Sequence, residues 1–258
     1  MKQEKPRVLL TSYVFWPSLG GLELVAEHLA RGLQARDHKV EVLTFTPAPE
    51  VGDRAWPFRV TRRPGLRDSL AAFRRADVVI SRHLSLRTCW PVLVIRRPLI
   101  IWHATWYPED EKFIARTLRR WIMRRATNIA NSQPICSALE YCDGVVHPGY
   151  DDSRYRNETP WDMRPRSFVY IGRLGLEKGV DLLIRALAAI PGADLTVIGS
   201  GPAEAQLKSE TKKLGVSDRV NFVGRKDANE INALLNQHKV MVAPSRYDEP
   251  FGTVALEG

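Results

Sequence analysis

A chain of 258 residues is long enough for one large α/β domain or two smaller ones, each with its own core. Hydrophobic content of 44% and charged content of 26% are ordinary for a globular protein, and no stretch reaches the ~20 apolar residues that span a bilayer. The net charge of +9 favours anionic partners: nucleic acid, a phospholipid surface or a phosphorylated substrate.

Short β-branched runs alternate with segments of helical period, the signature of βα units around a parallel sheet. Residues 7–12 are expected as the first strand, followed by a turn with Gly20 and Gly21. Leu22, Val25, Ala26, Leu29 and Leu33 then share one helical face. The apolar run at 8–12 is too short for a signal peptide and leads into that turn. Strands at 39–45 and 58–61, a helix at 66–75 and a strand at 77–81 come next. They are followed by a helix at 85–95, a strand at 98–103, a long helix at 109–126, a strand at 127–131, a helix at 132–141 and a strand at 144–147. Cys89, Cys136 and Cys142 form no CxxC pair, and their odd number reads as buried thiols in a reducing compartment. A cytoplasmic location is expected.

From 151 to 166 the chain is polar, charged and punctuated by proline, as a linker is. The alternation then restarts: strands at 167–172, 194–198, 219–223 and 239–243, helices at 179–190, 202–214 and 228–237. The expectation is an α/β protein with an N-terminal Rossmann-like domain at 1–150, a linker at 151–166 and a C-terminal Rossmann-like domain at 167–258. A cleft would lie between the two domains.

Open α/β sheets bind ligands beyond the carboxyl ends of their strands, so the loops after strands are where chemistry belongs. Gly20 and Gly21 sit in such a loop, at a helix start whose N–H groups suit an anion. After the second domain's first strand, Arg173 and Lys178 stand five residues apart among glycines, placed to converge on a diphosphate. The run Ile198-Gly199-Ser200-Gly201-Pro202 resembles a dinucleotide fingerprint, but Glu204 replaces its third glycine, which speaks against a NAD site. In the last segment Glu249 follows a strand, and Glu257 lies about two helical turns on. Between them the N–H groups of Phe251, Gly252, Thr253 and Val254 would begin a helix and meet phosphate.

Taken in order, the Gly20-Gly21 loop with Glu23, the loop Gly172-Arg173-Leu174 to Lys178-Gly179, IGSGP and the segment APSRYDEPFGTVALE resemble glycosyltransferase family 4, the retaining enzymes of the GT-B fold. The resemblance implies a nucleoside-diphosphate sugar donor, with no cofactor and no metal. Arg173 and Lys178 would hold the diphosphate, Glu249 the sugar near its reacting face, and Glu257 the ribose hydroxyls, with Gly199 beside the nucleoside. Phe251 to Val254 would lend backbone contacts, and Gly20 and Gly21 would meet diphosphate and acceptor. His103 matches the family's histidine beside the donor sugar and joins Glu249 as a catalytic candidate, against its reading as a core histidine. Members of the family run on past the second Glu, so this chain is expected to be truncated in its second domain.

The helix at 109–126 sets Phe113, Ile114, Leu118, Trp121 and Ile122 on one side and six cations on the rest. It reads either as an element of an anionic membrane surface or as a helix packed on the sheet with solvated arginines. The first reading implies a lipid-linked acceptor and a peripheral place at the inner face of the plasma membrane. No nucleic-acid-reading module appears. The expected activity is transfer of a sugar to a hydroxyl acceptor in cell-envelope polysaccharide or glycolipid synthesis. A non-catalytic nucleotide-sugar-binding fragment and a GT-B UDP-sugar epimerase remain as alternatives.

Overall fold

All five residues of β1 (Val8–Ser12) are buried, because the strand lies at the middle of a parallel sheet covered on both faces. The computed structural model describes residues 4–18, 20–50, 52–108, 110–149, 152 and 154–256. The chain divides into two compact units, residues 1–148 and 149–258.

In the first unit, β1 is followed by α1 (Gly21–Gln34), β2 (Val40–Thr44), β3 (Arg59–Arg62), α2 (Leu66–Arg75) and β4 (Val78–Arg82). Then come α3 (Leu86–Cys89), β5 (Leu99–His103), α4 (Phe113–Met123), β6 (Thr127–Ala130), α5 (Gln133–Ala138) and β7 (Gly144–Val145). Among the described residues the strands form one parallel sheet in the order β3-β2-β1-β4-β5-β6-β7. Neighbouring side chains on β1 serve opposite faces: Leu9 joins Leu43, Phe73, Val79 and Ile101, while Leu10 joins Phe15, Ala26, Ala30 and Val42.

The second unit runs β8 (Arg166–Ile171), α6 (Val180–Ala188), β9 (Leu195–Ile198), α7 (Glu204–Lys213), β10 (Val220–Gly224), α8 (Ala228–Leu235) and β11 (His238–Met241). Its parallel sheet has the order β10-β9-β8-β11. Tyr170 packs with Leu183, Ile184, Leu187 and Leu207 on one face, and Val169 with Ile198 and Leu235 on the other.

Several local expectations change. The helix expected at 85–95 breaks after Cys89 into a 3-10 turn, Trp90–Leu93, where Pro91 lacks the N–H a continuous helix needs. α4 starts only at Phe113, so Asp110 lies ahead of the first turn and Glu111 pairs with Arg119 at 2.8 Å; Glu109 lies outside the described residues. The segment expected as a linker is stitched to the second unit. The Arg156 N–H donates to Asn232 Oδ1 at 2.8 Å, the Glu158 N–H to Asn236 Oδ1 at 2.7 Å, and Trp161 Nε1 to the Lys239 carbonyl at 3.0 Å. The three-thiol reading is also corrected. Cys136 and Cys142, flanking the end of α5, are joined in a disulfide with Cα atoms 5.5 Å apart, and only Cys89 is a buried thiol. Sequence spacing alone says nothing of this pairing, which depends on the chain turning back after Ala138.

Candidate functional site

In the second sheet β8 stands between β9, which follows it in sequence, and β11, which does not. The chain passes from β8 to β9 on one side and returns to β11 on the other, so the strand order switches at β8 and the loops after β8 and β11 flank the crevice of that switch point. Both expected donor motifs fall there. Gly179, the residue before α6, has φ of 69°, and a Cβ on it would lie 2.0 Å from the Pro244 carbonyl oxygen in the loop after β11. Glycine is required for the two loops to close on each other. Arg246 completes the clasp, with its N–H donating to the Glu177 carbonyl at 2.8 Å and its guanidinium to Asp181.

Across this contact Lys178 Nζ donates to Glu249 Oε1 at 2.7 Å and to the Tyr247 hydroxyl at 2.9 Å. Tyr247 donates onward to Glu249 Oε2 at 2.7 Å, and Ser245 Oγ to Glu249 Oε1 at 2.6 Å. One carboxylate thus accepts three hydrogen bonds, with Lys178 and Glu249 both largely out of solvent. Partial burial favours the neutral acid at Glu249, but its bonds from Lys178, Ser245 and Tyr247 prevail and hold it below the usual carboxylate range. Partial burial likewise opposes the charge on Lys178, yet its bonds to Glu249 and Tyr247 prevail and raise it. Both groups are charged at neutral pH.

Arg173 is more exposed and pairs with Glu177. Its carbonyl accepts the Tyr170 hydroxyl at 3.0 Å. Burial foremost, then the charges of Glu249 and Glu177, raise the Tyr170 phenol, so both carboxylates lie close around one residue of β8. Beside them Gly199 has φ of 131°, and a Cβ there would lie 1.9 Å from the Gly172 carbonyl oxygen, so the loops after β8 and β9 touch backbone to backbone.

The last expected element differs. Thr253–Leu256 is a single 3-10 turn entered through Gly252 at φ 72°, not the start of an α-helix within the described residues. Phe251 to Val254 therefore supply turn N–H groups rather than a helix end; Glu257 lies outside the described residues. Ser245, Tyr247 and Glu177 were missed from sequence. Ser245 and Tyr247 stand four and two residues before Glu249, inside the motif itself, and nothing local distinguishes them from loop polar groups.

In the first unit Gly20 is the extended residue before α1, and the Glu23 carboxylate lies against it. Ser18 Oγ donates to that carboxylate at 2.7 Å, so an acid of the chain already sits at this helix start. His103 ends β5 fully buried, with Nδ1 2.8 Å from the Tyr107 hydroxyl and Nε2 3.0 Å from Asn128 Oδ1. Burial, with the charge of Arg119, lowers its pKa to about 4 despite the Asn128 bond. His83, at φ 60°, stacks on the same Tyr107 at 4.5 Å, and burial lowers it to about 3. His103 thus offers no ring nitrogen that is not already engaged. Among the described residues no group of three or more His, Cys, Asp or Glu is placed to hold a metal.

The two parallel-sheet units are those of the GT-B glycosyltransferase fold. An Anabaena protein, HepE, solved with UDP and glucose, superposes with a TM-score of 0.76 at 22% identity over 98% of this chain and 78% of its own. Sucrose-phosphate synthase from Thermosynechococcus elongatus gives 0.78 at 20% identity with the same coverage. Residues 19–154 match the model of Glycosyltransferase Family 4, and residues 151–258 that of Glycosyl transferases group 1. The chain belongs to glycosyltransferase family 4. A glycogen synthase of Mycobacterium tuberculosis is 38% identical over 122 residues, which span 44% of this chain and 28% of that relative.

Proposed function

We propose that this chain carries the donor site of a retaining glycosyltransferase, which moves a sugar from a nucleoside-diphosphate sugar to a hydroxyl acceptor in cell-envelope polysaccharide or glycolipid synthesis. The observation that carries the reading is the Lys178–Glu249–Tyr247–Ser245 network in the crevice beyond β8 and β11. Lys178 and Arg173 receive the diphosphate, in competition with the carboxylates of Glu249 and Glu177 that now hold them. Glu249, kept ionised, accepts hydrogen bonds from sugar hydroxyls; Glu257, with Gly199 nearby, takes the ribose. Phe251 to Val254 add backbone contacts. His103, with both nitrogens engaged by Tyr107 and Asn128, braces the end of β5 rather than acting as a catalytic residue.

As the glycosidic bond breaks, negative charge grows on the leaving phosphate oxygen. Preorganised cations stabilise that charge by several kcal/mol, which removes the need for a divalent metal. The acceptor oxygen attacks the anomeric carbon from the face that the phosphate leaves. The departing phosphate oxygen takes the acceptor proton, so the configuration is retained. The donor supply places the site on the cytoplasmic side, and a lipid-linked acceptor would place the protein at the inner face of the membrane.

HepE is solved with UDP and glucose, which makes UDP and UDP-glucose the first ligands to try. Calorimetric titration with UDP, GDP, ADP and their sugar conjugates, repeated on Glu257→Ala, tests the proposal. One nucleotide is expected to bind and to weaken at least tenfold in the variant. A folded protein that binds none of them, or binds equally without Glu257, overturns it.

A further inference from the structure

The disulfide between Cys136 and Cys142 sits just before the chain leaves the first unit. Cys136 lies in the last turn of α5, and Cys142 comes two residues before β7. Among the described residues β7 is an edge strand, with Gly144 and Val145 paired to Ile129 and Ala130 of β6. So short a strand has few bonds of its own to hold it. Beyond it the Val146 N–H donates to the Ala130 carbonyl at 2.8 Å, and Trp102 Nε1 to the Val146 carbonyl at 3.0 Å. The unit ends at Pro148.

Both ends of the bridge are anchored without it. Ile135, the neighbour of Cys136, is buried in the core. Asp143, the neighbour of Cys142, donates its N–H to the Asn128 carbonyl at 2.7 Å and accepts the Asn128 N–H on Oδ2 at 2.6 Å. Between the cysteines Glu140 pairs with Arg120 of α4 at 2.7 Å, and Leu139 and Tyr141 pack on the core. The two sulfurs therefore stay neighbours when the bond is open, which favours its return. Both cysteines are half-buried, within reach of a reductant. Cys89, by contrast, is fully buried, with its sulfur 3.4 Å from the Thr11 hydroxyl and 3.1 Å from that of Ser81, so it takes no part in exchange.

We propose that Cys136 and Cys142 form a reversible redox clip on the segment by which the chain leaves the first unit. Oxidised, the clip ties the end of α5 to β7 and orders residues 139–147. A dithiol reductant of the thioredoxin type opens it. One thiolate of the reductant attacks a sulfur of the bridge to give a mixed disulfide, and the second thiolate displaces it. Two electrons and two protons pass to Cys136 and Cys142, which become thiols, and the reductant becomes a disulfide. In a reducing compartment a disulfide acts as a sensor rather than a staple; placing it there rests on the cytoplasmic donor supply proposed above.

The test is amide hydrogen exchange of the full chain, oxidised and after reduction by a thioredoxin-type dithiol. Amides within 139–147 are expected to exchange roughly tenfold or more faster in the reduced protein, with those of β1 and β4 unchanged. Cys136→Ser with Cys142→Ser should show the faster exchange in both conditions, and the wild-type comparison carries the test if that variant folds poorly. Maleimide labelling without denaturant should find no thiol before reduction, Cys136 and Cys142 after it, and neither again after treatment with oxidised glutathione. A bond that resists the dithiol until the protein unfolds would make the bridge a structural staple. That result, thiols that oxidised glutathione leaves free, or equal exchange in the two states would each overturn the proposal. Thiol and amide readouts do not depend on donor binding, so failure of the donor site would be seen separately.

Discussion

The crevice beyond β8 and β11 and the ends of β4 and β5 both lie at the carboxyl ends of parallel strands, and they hold opposite electrostatics. Beyond β8 and β11, cations meet carboxylates at partly solvated positions: Lys178 with Glu249, Arg173 with Glu177, Arg246 with Asp181. Lys178 and Glu249 keep each other charged. At the ends of β4 and β5, Arg82, His83 and His103 crowd Tyr107 and Trp102 with little acid to balance them. Burial alone lowers Arg82 to about 10, and burial above all holds both histidines neutral. The first arrangement can exchange partners with an anionic ligand; the second is a braced, neutral platform. Strand-end position does not by itself make a binding site. Access to solvent and the sign of the neighbours decide it.

The largest effect that would break this comparison is on stability. His103→Ala should cost about 3 kcal/mol in urea unfolding, because it opens a cavity and strands Asn128 Oδ1 and the Tyr107 hydroxyl. Donor binding should survive in the protein that remains folded; selective loss of binding with unchanged stability would make His103 a binding residue instead.

Somewhat smaller, for each histidine, is the pH effect. The native histidines bind protons only near pH 4 and 3, whereas unfolded histidine does so near 6.5. Between those values the unfolded state holds more protons, so stability is full above pH 6.5 and is lost as pH falls towards 4. Unfolding of the wild type at pH 4.5 should be easier than at pH 7 by roughly 2 to 3 kcal/mol for each of His83 and His103. A flat profile there would mean that the histidines are solvated.

The smallest stability change belongs to the other site. Lys178→Ala should alter unfolding by less than about 1 kcal/mol, as for a partly exposed ion pair. It should nevertheless lower the affinity for the nucleotide sugar by roughly tenfold to a hundredfold, the loss of one charge-assisted bond. A large stability loss with unchanged affinity would make the Lys178–Glu249 pair a structural brace.

Much was determined by local pattern. The alternation of strand and helix periods, the bounds of α2 at Leu66 and Arg75, and the family motifs around Lys178 and Glu249 are readable because propensity and spacing act over a few residues. Where a local rule was overlooked the reading slipped: Pro91 cuts the helix expected at 85–95. Tertiary structure alone decided three things. The order β10-β9-β8-β11 sets Lys178 against Glu249, 71 residues away in sequence. The packing of α4 takes Ile122 inward and leaves Phe113 and Ile114 outside, a choice among apolar positions spread over half the helix that the helical wheel alone does not make. The turn after α5 brings Cys136 to Cys142. Each depends on which segments lie side by side once the sheets have formed, and no local preference carries that information.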